Sequence, residues 1–321
     1  MPSWLQMIAA VSSAVFSGVM GIALIPFLQK RRFCEPDTEN QNTDTASGDK
    51  LKPTMCGILL IFGCTTGLVL SYTLYMQFSG ADRTGTEFQS ESRVLRLMLM
   101  HSLLFGFLGW LLDYQRTVRR KPDTGETNFL MTLLIFFMNY SFLHVFPKEE
   151  ILNLGFIQWN AGFLSYFIRA ALLTMFWRSM QKPEQNTDGI SITISCIQCL
   201  LLTVLCIAGK QYLNALYALT SVGACMGCFY WNLYPAKCRL GQTGTYWLGS
   251  VIPMLCLNYH QLNIMLLFMA VWVINALPSL FGKKTILELL KQDGTAPVQR
   301  IIILTGFALF CGILSVMPQQ T

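Results

Sequence analysis

The chain has 321 residues, 53% of them apolar and only 12% charged, with a net charge of +6 and a mean hydropathy of +0.46. Soluble globular chains carry about a quarter charged residues, so an ordinary soluble domain is excluded. The positive charge needs no nucleic acid to explain it, since a basic rim facing anionic lipid accounts for it.

The apolar residues fall in runs near 20 residues, long enough to cross a bilayer, and a helix satisfies its own backbone groups in lipid. Ten spans are predicted. The first, 4–29, has no basic residue ahead of it and is too long for a cleaved signal, so it is expected to be retained. A polar, turn-rich loop follows at 33–53 (FCEPDTENQNTDTASGDKLKP), expected to lack fixed structure for much of its length. Spans 55–76 and 94–113 flank the longest external loop, 77–93. The others are 129–146, 156–177, 190–208, 211–231, 244–258, 260–280 and 301–317, with a break at Pro278 and Gly282. The fold class is therefore an all-α polytopic membrane protein of about ten transmembrane helices, one membrane domain over 1–321 with no internal repeat.

Basic residues set the orientation. The odd-numbered loops hold 17 of them: Lys30, Arg31, Arg32, Lys50, Lys52, Arg116, Arg119, Arg120, Lys121, Arg178, Lys182, Lys237, Arg239, Lys283, Lys284, Lys291 and Arg300. The even-numbered loops hold four, Arg83, Arg93, Lys148 and Lys210. The odd loops are then cytoplasmic and both termini lie outside. Among eleven cysteines, Cys196/Cys199 and Cys225/Cys228 have CxxC spacing, but they sit in apolar spans without His or acid beside them. Packing, rather than a metal, is expected there, and no disulfide is implied.

The cytoplasmic loops carry the chemistry. Residues KLKPTMCGILL open the second span, GWLLDYQRTVRRK closes the third, QNTDGIS precedes the sixth, and WNLYPAKCRLGQTGTYWLGS (231–250) joins the seventh to the eighth. In order and over essentially the whole chain, these resemble the phospho-N-acetylmuramoyl-pentapeptide transferase family. Thr54, Met55 and Gly57 match its TPTMGG segment, with Lys52 in place of a threonine and Cys56 in place of a glycine. Asp113 and Tyr114 match its DDYxK motif, but Leu112 replaces the first acid and Arg116 stands for the lysine. Thr187, Asp188 and Gly189 match NLTDGLDG in the simplest alignment, leaving Ser191 at a second acid; a shifted alignment makes Asp188 that second acid. In 231–250, Asn232, Tyr234, Pro235, Ala236, Gly241, Gly244, Leu248 and Gly249 match. Gln242 stands where the family has a magnesium-binding aspartate, and Arg239 replaces an aromatic that stacks on uracil. The last loop, FGKKTILELLKQDGTAPVQRII, lacks the family's histidines; His101, His144 and His260 lie elsewhere.

The resemblance implies a bacterial plasma-membrane protein of cell-envelope synthesis, with a cytoplasm-facing site for Mg²⁺, a UDP-sugar and a polyprenyl phosphate lipid. Envelope-synthesis proteins and further copies of the chain are candidate partners. Asp113 and Asp188 are the candidate catalytic and metal residues; Lys50, Arg116, Asn232, Arg239 and Gly241 are the candidate substrate contacts. With Leu112 and Gln242 at lost acid positions, the expectation is an impaired or inactive transferase without a functional metal, because an amide no longer offsets a divalent charge.

Two alternatives stand beside it. One is an active glycosyl-1-phosphate transferase with altered metal coordination, drawing on Asp113 and Asp188 with Glu184 or Glu288; the other is a lipid carrier or transporter on the same scaffold, for which the sequence offers only scattered mid-span polar groups such as Arg169, Asn139 and Asn275. Plainer readings are also open. Asp113 suits a helix-end acid at the water interface and Asp188 a turn residue beside Gly189. Arg116, Arg119, Arg120 and Lys121 suit membrane anchors, and Lys50 and Lys52 solvated loop charges.

Overall fold

The structure, a computed structural model, describes residues 3–31, 33–36, 51–78, 86–118, 125–145, 151–153, 158–160, 162–186, 188–259, 262–280 and 284–316. Among these residues the order is α1 (Ser3–Lys30), β1 (Cys34–Pro36), β2 (Leu51–Pro53), α2 (Gly57–Phe78), α3 (Thr86–Thr117), α4 (Gly125–Leu143), β3 (Ile151–Asn153) and β4 (Gln158–Asn160). There follow α5 (Phe163–Asn186), α6 (Ile190–Ala208), α7 (Tyr212–Asn232), α8 (Gly241–Asn258), α9 (Leu262–Leu280), α10 (Ile286–Gln292) and α11 (Pro297–Val316). All but α10 overlie the ten predicted spans, and six are long and apolar enough to cross a membrane by length and composition. The protein is an all-α polytopic membrane protein.

The packing explains why some spans are more polar than others. Helix α8 is buried at every residue from Thr243 to Cys256 and lies against α2, α3, α5, α6 and α9. Enclosed by protein, it can hold Thr243, Thr245 and Ser250 without presenting them to lipid. Helix α1 is the opposite case. Met7, Val11, Val15, Val19 and Ile22 form an exposed stripe at helical spacing. Its other face docks on α7 through small residues, which let backbones approach: Ser13 Oγ donates to Thr220 O at 2.6 Å and Ser17 Oγ to Ala224 O at 3.0 Å.

Several expectations need correction. The fifth span starts at Phe163 rather than 156, because Gln158–Asn160 pairs antiparallel with Ile151–Asn153 instead of entering the helix. Hydropathy averages Phe156, Ile157 and Trp159 with their polar neighbours and misses the hairpin. The expectation for the loop at 33–53 is not among them: its ends pair, Cys34–Pro36 with Leu51–Pro53, and residues 37–50, which include Lys50, lie outside the described residues. So do Arg119, Arg120, Lys121, Thr187, His260 and Gly282. The last loop contains α10, announced by a capping box in which Thr285 and Glu288 exchange bonds. Finally, Cys56 and Cys238 form a disulfide with Cα atoms 6.2 Å apart. Each cysteine sits just outside a span, and folding brings them together across 182 residues.

Candidate functional site

The four motif segments meet at one end of the bundle. Residues 53–57 run between Phe33 and Arg239–Leu240, stitched by main-chain bonds: Thr54 N donates to Phe33 O, Arg239 N to Pro53 O, Cys56 N to Arg239 O and Gly57 N to Leu240 O, all at 2.8–3.0 Å. The Cys56–Cys238 link lies along the same seam. Where α2 and α8 begin, a Cβ on Gly57 would run into the backbone of Gly244, so the closeness of the two helix starts requires glycine.

Asp113 is buried beneath this seam. It is neither at a water interface nor at a helix end, since α3 continues to Thr117. Its Oδ1 accepts from Gln242 N at 2.9 Å; its Oδ2 accepts from Thr243 N at 2.8 Å and Thr243 Oγ1 at 2.6 Å. The residue preceding α8, Leu240, has no side-chain cap to give. A carboxylate from another helix therefore caps α8, satisfying first-turn N–H groups and complementing the positive end of the helix dipole. For this reason α8 begins at Gly241, three residues before the predicted 244.

Gly241 has φ 73, and a Cβ there would come within 2.6 Å of Asp113 Oδ2 and 2.9 Å of Thr54 Oγ1. Its role is to let the backbone pass under the carboxylate. Asn232 is also structural: its Nδ2 donates to Cys238 O at 3.0 Å, folding the 233–240 turn back over α7.

Asp188 is buried just before α6, followed by Gly189 in the left-handed region at φ 78. Its Oδ2 is 2.6 Å from Lys52 Nζ, and its Oδ1 lies 3.6 Å from Arg239 Nε. The two cations have side chains only 14% and 8% exposed. Lys52 is thus not a solvated loop charge. Sequence reasoning undervalued it, although its replacement of a family threonine was the available signal; Thr243 was missed altogether.

The lost acid positions are filled differently. Leu112 packs against the cluster of Phe105, Ile135, Trp177 and Tyr246. Gln242 is half-buried, its backbone N turned to Asp113. Arg116 is half-buried in the last turn of α3. Glu288 accepts from Thr285 N at 2.8 Å within its capping box. Nothing of the Glu184 side chain is described.

Mg²⁺ requires octahedral oxygen donors, usually one or two carboxylates with substrate phosphates. One retained carboxylate here accepts three protein hydrogen bonds and the other faces two cations. No group of three or more His, Cys, Asp or Glu side chains among the described residues converges on a metal position. The described residues form no ready-made divalent-cation site.

An enclosed helical scaffold with a charged cluster at its helix ends is that of a polytopic membrane protein. Residues 95–260 match glycosyl transferase family 4, and the chain belongs to that family. It is a divergent member, similar to the phospho-N-acetylmuramoyl-pentapeptide-transferase of Listeria monocytogenes, with 26% identity over 278 residues, 84% of this chain and 80% of the relative. The enzymes of that name from Heliobacterium modesticaldum and Clostridium beijerinckii are 26% and 25% identical, covering 77% and 74% of this chain and 72% and 69% of their own lengths. Together with the apolar helices, these bacterial relatives make it a multi-pass protein of the bacterial plasma membrane.

Proposed function

We propose that this protein is a transferase-family scaffold that binds a polyprenyl phosphate at the cytoplasmic face and has lost, or nearly lost, phospho-sugar transfer from a UDP-sugar. One observation carries the reading: both retained acids are engaged within the protein, Asp113 as the cap of α8 and Asp188 by Lys52 and Arg239. Family-type transfer needs charge neutralised as a phosphoryl group passes between two oxygens. With Leu112 in an apolar cluster and Gln242 an amide, no further acid among the described residues supplies that need. The scaffold around the site is otherwise kept, down to the glycines at 57, 241 and 244. Its role in the envelope is then to hold lipid carrier or an envelope-synthesis partner, as a single membrane domain.

The test uses full-length protein in nanodiscs with a UDP-sugar and a polyprenyl phosphate, beside one of the bacterial relatives. The expected result is lipid retention without release of the nucleotide monophosphate. Turnover within about a tenth of the relative's rate would refute the loss of transfer and favour the altered-metal enzyme. Absence of lipid binding would refute the binding role.

A further inference from the structure

We propose that α6 and α9 enclose a file of ordered water that starts beside Asp188 and ends at Gln198. The proposal goes beyond the lipid reading and stands whether or not a lipid is held at the inner face.

One stripe of α6 consists of Ser191, Ser195 and Gln198, spaced i, i+4 and i+7, and all three are buried. Hydroxyls in apolar helices can donate to the carbonyl three or four residues back. Thr193 and Thr203 on the same helix do so, to Gly189 O at 2.7 Å and Cys199 O at 2.8 Å. Ser191 Oγ and Ser195 Oγ do not, and they have no hydrogen-bond partner among the described residues. On α9, Phe268, Trp272 and Asn275 repeat the same spacing. Gln198 Nε2 donates to Phe268 O at 2.9 Å, which leaves its buried Oε1 unbonded. Asn275 Oδ1 accepts from Leu287 N at 3.2 Å, which leaves its buried Nδ2 unbonded. Trp272 Nε1 is likewise buried without a partner among the described residues.

The Gln198–Phe268 bond sets the register. Successive spans alternate in direction, so α6 and α9 run antiparallel. From Gln198 back to Ser191, and from Phe268 on to Asn275, the helix advances by the same length, about 10 Å. Ser191 is thus level with Asn275, and Ser195 with Trp272. Donors on α9 stand opposite hydroxyls and an amide oxygen on α6, yet these atoms make no direct bond to one another. A buried polar group left unmatched is costly and rare in native structures. Five on two level stripes mark a place where water supplies the missing bonds. Water both donates and accepts, as this set requires. A cation does not suit it, because Asn275 Nδ2 and Trp272 Nε1 present only hydrogens. At the inner end the file meets Asp188, a turn before Ser191, whose buried Oδ1 accepts no hydrogen bond among the described residues. At the other end the next residues along the stripes, Leu202 and Met265, are buried and apolar. The file is therefore blind: it brings water from the inner face to mid-helix and passes nothing through.

The experiment is radiolytic hydroxyl-radical footprinting of the full-length protein in nanodiscs, read residue by residue by mass spectrometry. Radicals made from an ordered water oxidise the side chains beside it. Trp272 should be oxidised about fivefold faster than Met265, although a thioether is itself readily oxidised. Both side chains are buried, so exposure does not separate them. Ser195→Val, which removes one hydroxyl and fills the space beside Trp272, should slow Trp272 oxidation about fivefold. A wild-type Trp272 rate no higher than that of Met265 overturns the proposal, since the interior is then either dry or wet throughout. Unchanged Trp272 oxidation in folded Ser195→Val overturns it as well. So does oxidation that responds to added Na⁺ or Mg²⁺, which would make the occupant a cation. If Ser195→Val does not fold, the wild-type comparison of Trp272 with Met265 decides alone.

Discussion

Replacing Asp113 with alanine should cut stability sharply, whether or not any ligand is present. The carboxylate accepts three hydrogen bonds, two from backbone N–H groups in the first turn of α8. Hydrogen bonds to a charged group contribute about 1.5–3 kcal/mol each, and they share one acceptor, so their sum is not additive. Loss of the favourable charge at the helix start removes roughly 1 kcal/mol more. A total near 4 kcal/mol is expected, about 10 °C in Tm for a chain of this size. The buried Cys225, Cys228 and Cys256 provide the assay, since a thiol-reactive dye reports their exposure on heating in detergent. Asp113→Asn, which retains an acceptor oxygen but not the charge, should fall between. A melting temperature for Asp113→Ala within about 2 °C of wild type would refute the capping role and leave the carboxylate available for a ligand.

Gly241→Ala should lower stability by roughly 2 kcal/mol or more, because it combines φ 73 with overlap on Asp113 and Thr54; a neutral result in the same melt would contradict the close passage. Leu112→Asp should cost about 2 kcal/mol by setting a carboxylate against Phe105, Ile135, Trp177 and Tyr246. Combined with Gln242→Asp it should still give no nucleotide release, and recovery of turnover would show that the acids alone were missing. Mass-tagging of unfolded protein should label nine cysteines before reduction and eleven after it; eleven from the start would rule out the Cys56–Cys238 link.

Much of the scaffold was legible because bilayer thickness forces long apolar runs, and ten of them stand out in the chain. The margins were not. Asp113 sits at what hydropathy takes for a helix end, yet its partners are amides about 130 residues away. Lys52 looks like a loop charge until Asp188, 136 residues on, is brought beside it. Periodicity cannot report such pairings, which depend on how helix ends converge. The capping box at Thr285 and Glu288 was a local signal and could have placed α10 from the sequence alone.

The seam that joins the starts of α2 and α8 also limits how the protein can move. A covalent bridge beside a row of main-chain bonds makes the two segments a single rigid piece, with Lys52 near one edge and Arg239 in the other. The spacing of those two positive groups is thereby fixed before any guest arrives, and little ordering entropy is lost when one does. Any opening of the bundle must come from helices outside this clasp.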